Sequence, residues 1–242
     1  MSLTKHIIAL FCAVLTACAG EKTASLDEFS SVKYQPQYAS GFRILEADDR
    51  KSSVIEITDP WQGAQNYKQT LFVARNGEVP PATFAGETVK APVKRVICLS
   101  SSYIAMFEAV GTVECVVGVS GIDFISNRYV NEHRDSIADV GYDSNIDFEK
   151  IVSVRPDAVL IYGVAGEENQ LTSKLRELGI PYMYIGDYVE NSPLGKAEWL
   201  HVIAELTDRQ AVADELFDRV RHNYEALTAK VRIHMTEHHD RV

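Results

Sequence analysis

The sequence predicts an α/β protein: an open parallel sheet with helices on both faces, an antiparallel N-terminal appendage and a long C-terminal helix. Two observations carry this prediction. Over residues 94–191, short and fully apolar runs alternate with helical segments, as expected for parallel strands that are buried on both faces. Before them, residues 41–93 contain short runs separated by charged turns, which are typical of antiparallel strands.

Four apolar runs predict the parallel strands. They cover residues 95–99, 115–119, 157–162 and 181–185. Apolar residues at helical spacing predict helices over 103–110, 147–153 and 167–178. Ser102 is the predicted N-cap of the first of these helices, because its hydroxyl can accept a hydrogen bond from a free backbone N–H.

The C-terminal region is predicted to be one long helical stretch. Apolar residues keep helical spacing from residue 192 to 231. Thr207-Asp208-Arg209-Gln210 has the form of a capping box, so a break and a restart are expected there. Residues 232–242 are polar and rich in histidine, and they are predicted to form a tail.

The first twenty residues look like an export signal. Lys5 precedes an apolar run over residues 7–15, which is too short for a membrane span of about 20 apolar residues. Leu15-Thr16-Ala17-Cys18 then resembles the bacterial lipobox, in which cleavage falls just before a cysteine that carries a diacylglycerol. The sequence therefore predicts a signal peptide over 1–17, lipidation at Cys18 and a lipidated tether over 18–40 that holds the protein on a membrane.

Several function classes have no support in the sequence. The net charge of -10 argues against a nucleic-acid phosphate backbone as the partner. There is no phosphate-binding loop, no nucleophile elbow and no Cys-x-x-Cys pair. Ser101, His133 and Asp139 are the residue types of a hydrolytic triad, but nothing in the sequence places them together. We therefore expect no catalysis, no cofactor and no metal ligated by the protein.

Polar, glycine and aromatic residues follow the predicted parallel strands. In an open parallel sheet, ligands bind beyond the carboxyl ends of the strands. Hydroxyls, glycines and rings there suit a large, partly flat ligand that is held by hydrogen bonds and ring contacts. The predicted ligand-binding residues are Ser101, Ser102, Tyr103, Asp123, Phe124, Gly163 and Tyr188.

Five stretches, taken in order behind the lipobox, resemble a known family. They are KRVICLS at 94–100, VVGVSG at 116–121, NIDFEKI at 145–151, RPDAVL at 155–160 and PLGKAEW at 193–199. The chain resembles the periplasmic substrate-binding proteins of ABC importers for ferric siderophores, haem and cobalamin. In that family, two α/β lobes are joined by one long linking helix and the ligand lies between them.

The resemblance implies a lipid-anchored protein of the periplasm that captures a metal chelate and delivers it to an ABC permease. The family's first-lobe docking glutamate matches Glu149, which would contact the permease. Residues 94–191 correspond to the first lobe and 192–231 to the linking helix, and a second lobe is expected to be absent. Two alternatives stay open: a single-lobed adaptor lipoprotein of the envelope, and an envelope hydrolase.

Overall fold

A computed structural model describes residues 26–142, 145–163 and 170–238. It contains two five-stranded sheets. The N-terminal sheet has strands β1 to β5 side by side in chain order; these are Ser31–Tyr34, Phe42–Glu46, Ser53–Thr58, Lys68–Ala74 and Glu87–Lys90. The first four strands pair antiparallel, as the alternating runs predicted, whereas β5 pairs parallel to β4.

The second sheet is parallel throughout. Its strands β6 to β10 are Val96–Cys98, Val116–Val119, Ala138–Asp139, Ala158–Ile161 and Tyr182–Tyr184. They lie in the order β10-β9-β6-β7-β8. The four predicted apolar runs contain β6, β7, β9 and β10, so the α/β prediction is confirmed. The short edge strand β8 was not predicted, because a two-residue strand leaves no periodic pattern.

Seven α-helices occur in the part of the chain that the structure describes. They are α1 to α7: Ser101–Ala109, Arg128–Glu132, Phe148–Ser153, Gln170–Glu177, Pro193–Glu198, Leu200–Thr207 and Gln210–His238. The predicted cap of α1 is wrong by two positions, because Ser100 adopts the extended backbone and accepts a hydrogen bond from the Ser102 amide. The predicted start of α4 at residue 167 lies outside the described residues.

The long C-terminal helical stretch is divided into α5, α6 and α7. The break between α6 and α7 falls at Asp208, whose positive φ of 56° ends α6. This confirms the break that the capping-box pattern predicted. The predicted tail is wrong up to residue 238, because α7 continues to His238. Residues 232–238 contain no glycine or proline, so nothing in them stops a helix once it has formed.

The predicted tether to residue 40 is also wrong in its second half. Ser31–Tyr34 forms the edge strand β1, which pairs with β2. Residues 37–41 are then held by two buried carboxylates of the C-terminal region. Glu198 accepts hydrogen bonds from the amides of Gln37, Tyr38 and Ala39, and Glu190 accepts them from the amides of Ser40 and Gly41. A polar composition does not predict such contacts, because the partners lie some 150 residues further along the chain.

The two sheets share one hydrophobic core. Ile44, Ile55 and Leu71 of the N-terminal sheet belong to the same buried cluster as Ile97 and Val159 of the parallel sheet. The edge strand β10 meets β4 through Gln69, whose side-chain amide donates to the Tyr182 carbonyl and accepts from the Tyr184 amide, each at 3.0 Å. The Gln69 amide thus takes the place of a neighbouring strand and covers an edge that would otherwise be unpaired.

None of the helices in the described part of the chain is both long and apolar enough to cross a membrane. The signal peptide and Cys18 lie outside the described residues, so the lipidation of Cys18 stays a prediction.

Candidate functional site

The carboxyl ends of the five parallel strands meet at one edge of the sheet, which we call the carboxyl edge. From β6 the chain proceeds to β7 and β8 on one side, and then to β9 and β10 on the other. The strand order therefore reverses between β6 and β9, and such a switch point opens a crevice beyond the strand ends. The segments predicted to bind ligand follow β6, β7, β9 and β10, so the structure brings them to this edge as expected.

Three serines occupy the centre of the carboxyl edge, directly after β6. Ser100 caps α1, and its Oγ lies 3.0 Å from the Oγ of Ser102. Ser102 also hydrogen bonds to Asp187, which follows β10. Ser101 is exposed in the first turn of α1. Two predicted residues, Ser101 and Ser102, thus stand at the switch point with hydroxyls that can donate to or accept from a ligand.

An exposed aromatic pair stands beside the serines, after β7 and β8. The rings of Phe124 and Tyr142 are 5.6 Å apart, and the residues are 79% and 57% exposed. Gly121 lies beneath both rings at a φ of 61°, and a Cβ there would lie 2.9 Å from the Phe124 ring. Asp139 accepts hydrogen bonds of 3.1 Å from the amides of Gly121 and Gly141, which joins the two loops that carry the rings.

Asp123 lies at the outer end of the carboxyl edge. Its carboxylate forms an ion pair of 2.9 Å with Arg134, and 79% of its side chain is exposed. An ion pair so open to water contributes little to stability, whereas Arg134 is also held by the Ile122 carbonyl at 2.9 Å. Asp123 therefore remains available to a ligand.

The structure corrects the expectation for Tyr103. Its side chain is fully buried, and its hydroxyl donates a 3.1 Å hydrogen bond to the carbonyl of Ile185. Burial raises the pKa of this phenol far above its usual range. Tyr103 therefore ties α1 to the end of β10 as part of the core, and no ligand reaches it in this structure. Nothing in the sequence indicated that this tyrosine is buried, because it directly follows three polar serines.

Gly163 is present at the carboxyl edge, but its surface is covered. A Cβ there would lie 2.6 Å from the ring of Trp61, which belongs to the connection between β3 and β4. The Gly163 carbonyl accepts a 2.5 Å hydrogen bond from the hydroxyl of Tyr188. The missing side chain at Gly163 thus leaves room for the Trp61 ring rather than for a ligand. Tyr188 is 42% exposed, so part of its ring is accessible at the carboxyl edge.

Asp187 was missing from the predicted site residues although it lies at its centre. It is buried after β10, and it is bonded to Ser102 at the switch point. Burial raises the pKa of the Asp187 carboxyl, and the hydrogen bond from Ser102 only partly opposes this. The sequence did contain one indication that Asp187 belongs to the site: it lies between Gly186 and Tyr188, directly after the last predicted strand.

The structure does not assemble the hydrolytic triad. Asp139 is bonded to the amides of two glycines, and the His133 ring stacks on Tyr129 with its Nδ1 2.9 Å from the Tyr129 carbonyl. Ser101 is bonded to neither. Within the described ranges, no group of three histidine, cysteine, aspartate or glutamate side chains is placed to hold a metal ion.

Glu149 stands away from the serines, in the first turn of α3 on the connection between β8 and β9. Asp147 caps that helix by accepting a 3.0 Å hydrogen bond from the Lys150 amide. Glu149 is therefore exposed and free of the capping role.

A family model described as periplasmic binding protein matches residues 96–236. The chain belongs to this family. The match begins at β6 and ends in α7, so it includes the parallel sheet and excludes the N-terminal sheet. Its members are the substrate-binding proteins of ABC importers, as the resemblance predicted, and they bind solutes rather than catalyse reactions.

Individual relatives are distant. An uncharacterized lipoprotein of Methanocaldococcus jannaschii is 27% identical, over 87% of this chain and 58% of its own length. A periplasmic haem-binding protein from Pseudomonas aeruginosa is 14% identical, over 60% of this chain and 49% of that one, at a TM-score of 0.48. The periplasmic vitamin B12 binding protein BtuF of Vibrio cholerae is 20% identical, over 57% and 51%, at a TM-score of 0.44. The chain thus spans less than two thirds of the length of these relatives.

Proposed function

We propose that this protein captures a metal chelate, such as a ferric siderophore, haem or a cobalamin, and delivers it to an ABC permease. The observation that carries the proposal is the exposed pair of Phe124 and Tyr142 at the carboxyl edge. The two rings in contact leave contiguous apolar area in water, and contiguous exposed apolar area supports an interaction site.

The chemistry of the carboxyl edge supports a flat, weakly charged ligand. Ring faces, including that of Tyr188, stack on planar or macrocyclic groups, and the hydroxyls of Ser101 and Ser102 supply adaptable hydrogen bonds. The charged groups at this edge include Asp187, whose pKa is raised by burial, and the ion pair of Asp123 with Arg134. They also include Lys196, whose ammonium group donates to the carbonyls of Asp187 and Tyr188. We propose that ring contacts and hydrogen bonds hold most of the ligand and that these charges meet polar groups at its periphery.

Replacing Phe124 by alanine is expected to weaken chelate binding about tenfold, equivalent to ~1.4 kcal/mol, because a ring contact of that size is lost. The measurement is a titration of the purified protein with ferrioxamine, haemin and cyanocobalamin by calorimetry. Tyr224→Ala, which removes an exposed ring on α7, should leave the affinity unchanged. If none of the three chelates binds the unaltered protein, the proposal fails and the adaptor alternative is favoured.

Permease docking is proposed for Glu149. A carboxylate in the first turn of an exposed helix is held outward and stabilised there by the helix dipole. We expect Glu149→Arg to slow chelate uptake by cells that carry the complete import system, because charge reversal opposes docking on a basic permease surface. Chelate affinity should be unchanged. Glu177→Arg reverses another exposed charge, on α4, and serves as the control. Equal rates of uptake with the two variants would contradict the proposed docking role of Glu149.

We also propose that the protein is exported and anchored through a lipid on Cys18. The lipobox-like segment supports this, and so does the description of a relative as a lipoprotein. The mass of the N-terminal peptide from a membrane fraction tests it, because a diacylglyceryl group on Cys18 adds a defined increment.

A further inference from the structure

Asp139, at the end of the edge strand β8, contacts both loops that carry the exposed rings of Phe124 and Tyr142. We infer that Asp139 is a positioning residue for the ligand site, because its carboxylate fixes the ring pair in one arrangement before a ligand arrives. The inference rests on the proposed function, and it concerns how the rings are held rather than which ligand they meet. In the sequence, Asp139 stood out only as a residue type of a hydrolytic triad, which the fold does not assemble.

Each ring-bearing residue lies in a turn that begins at a glycine with a left-handed backbone. Gly121 has a φ of 61° and Gly141 a φ of 88°. The Phe124 amide donates to the Gly121 carbonyl at 2.9 Å. Tyr142 directly follows Gly141. Because glycine has more conformational freedom than any other residue, both rings could move with these turns unless the backbone is held there.

One oxygen of Asp139 holds both glycines. Its Oδ1 accepts hydrogen bonds of 3.1 Å from the Gly121 amide and from the Gly141 amide. The Gly121 amide also donates to the Gly141 carbonyl at 3.1 Å. The two turns are therefore tied to each other and to a single acceptor. Hydrogen bonds to a carboxylate are stronger than those between neutral groups, so this acceptor is well suited to fixing both turns.

The backbone pairing of β8 holds the Tyr142 turn only weakly. The strand has two residues and lies at the edge of the parallel sheet, where it pairs with β7. One further hydrogen bond, from the Val140 amide to the Val119 carbonyl at 2.9 Å, continues this pairing as far as Val140. Segments with few hydrogen bonds open more readily than the centre of a sheet. The Asp139 side chain thus extends the fixed structure from β8 to the residue before Tyr142.

A fixed ring pair favours binding. The rings of Phe124 and Tyr142 lie 5.6 Å apart with their planes at 53°. Both are largely exposed, so surrounding side chains restrain them little and the backbone beneath them must do so. A side chain that has to be ordered during binding lowers the affinity, so rings that are already held bind more tightly than rings that move.

The test measures chelate affinity of Asp139→Ala and Asp139→Asn by calorimetry. The probe is whichever of ferrioxamine, haemin and cyanocobalamin binds the unaltered protein most tightly. We expect Asp139→Ala to weaken binding about tenfold, because two ring side chains must then be ordered by the ligand. Asp139→Asn keeps an acceptor oxygen for the two amides and should recover most of the affinity.

A double-mutant cycle separates positioning of the rings from a general structural role. Phe124→Ala/Tyr142→Ala has no ring pair to hold. Adding Asp139→Ala to this variant should therefore change its affinity less than about twofold. A residue that acts through the fold as a whole would instead lower the affinity by the same factor in both backgrounds.

Asp157→Ala is the matched control. Asp157 is half-buried, as Asp139 is, and its Oδ2 also accepts hydrogen bonds from two backbone amides, those of Lys94 at 2.7 Å and Arg95 at 2.9 Å. It directly precedes β9 and therefore lies at the opposite edge of the same sheet. Its replacement should leave chelate affinity unchanged. Urea midpoints of all variants show that each is folded under the conditions of the titration.

The outcomes separate this inference from the proposed function. A loss with Asp139→Ala that disappears in the background without the rings supports the inference. Equal losses in both backgrounds, an asparagine variant as weak as the alanine variant, or unweakened binding by Asp139→Ala overturns it. In each of these cases, weakened binding by Phe124→Ala leaves the proposed function standing. Failure of the unaltered protein to bind any of the three chelates overturns both.

Discussion

Replacing Glu198 by alanine is expected to lower the free energy of unfolding by about 3–5 kcal/mol, because several buried donors lose their acceptor. Glu198 is fully buried in α5. Its carboxylate accepts hydrogen bonds of 2.7 Å from the amides of Gln37, Tyr38 and Ala39, and one of 2.9 Å from the hydroxyl of Tyr34. Alanine leaves these groups without an acceptor, and strand β1 and the segment after it lose one of their attachments to the C-terminal helices.

Urea denaturation followed by circular dichroism measures the effect as a shift of the midpoint. The matched control is Glu225→Ala, because Glu225 accepts a 2.8 Å hydrogen bond from the Tyr38 hydroxyl in water-exposed surroundings. This control should leave the midpoint essentially unchanged, since an exposed donor that loses its partner is solvated by water. A similar midpoint for Glu198→Ala and Glu225→Ala would show that the buried carboxylate does not hold the segment.

The parallel sheet could be predicted from the sequence because its signals are local. Fully apolar runs such as residues 158–161, short and bounded by turn residues, are typical of strands covered on both faces. The short helix α3 was predicted over residues 147–153, and the structure has it at Phe148–Ser153 with Asp147 as its cap. The carboxyl edge followed from the strands, because parallel strands end on one side, and the serines and Phe124 were found in this way.

The remaining features depend on contacts between distant parts of the chain. Trp61 covers Gly163, about 100 residues away, and the Tyr103 hydroxyl reaches Ile185. Neither contact leaves a periodic pattern, so Gly163 and Tyr103 look open in the sequence although both are closed in the fold. Glu198 likewise looks like an ordinary helix charge, and only the fold brings the Gln37–Ala39 amides to it.

Low pH is expected to weaken another buried carboxylate contact, in which Glu205 of α6 binds Lys33 and Arg75 of the N-terminal region. Its side chain is buried in α6, 2.8 Å from Lys33 Nζ and 3.0 Å from an Arg75 guanidinium nitrogen. Burial alone would raise the pKa of Glu205, but hydrogen bonds from Gln210, Lys33 and Ser53 and the charge of Arg75 outweigh it and lower the pKa below 4.5. A carboxyl whose pKa is lowered by folding stabilises the fold above its unfolded pKa, and that stability is lost as pH falls through the folded pKa.

We therefore expect Glu205→Ala to lose about 3 kcal/mol at pH 7, because removing one partner of a buried ion pair leaves the other uncompensated. The difference from the unaltered protein should begin to shrink below the ordinary glutamate pKa of 4.5, where the unfolded chain takes up the proton, and should be lost as the pH falls through the lower pKa of the folded Glu205 carboxyl. Urea midpoints recorded from pH 7 to about pH 3 measure it. Glu215→Ala breaks an exposed ion pair with Arg219 and should differ little from the unaltered protein at any pH. A difference for Glu205→Ala that stays constant down to the lowest pH would mean that Glu205 stabilises the fold by packing rather than by its charge.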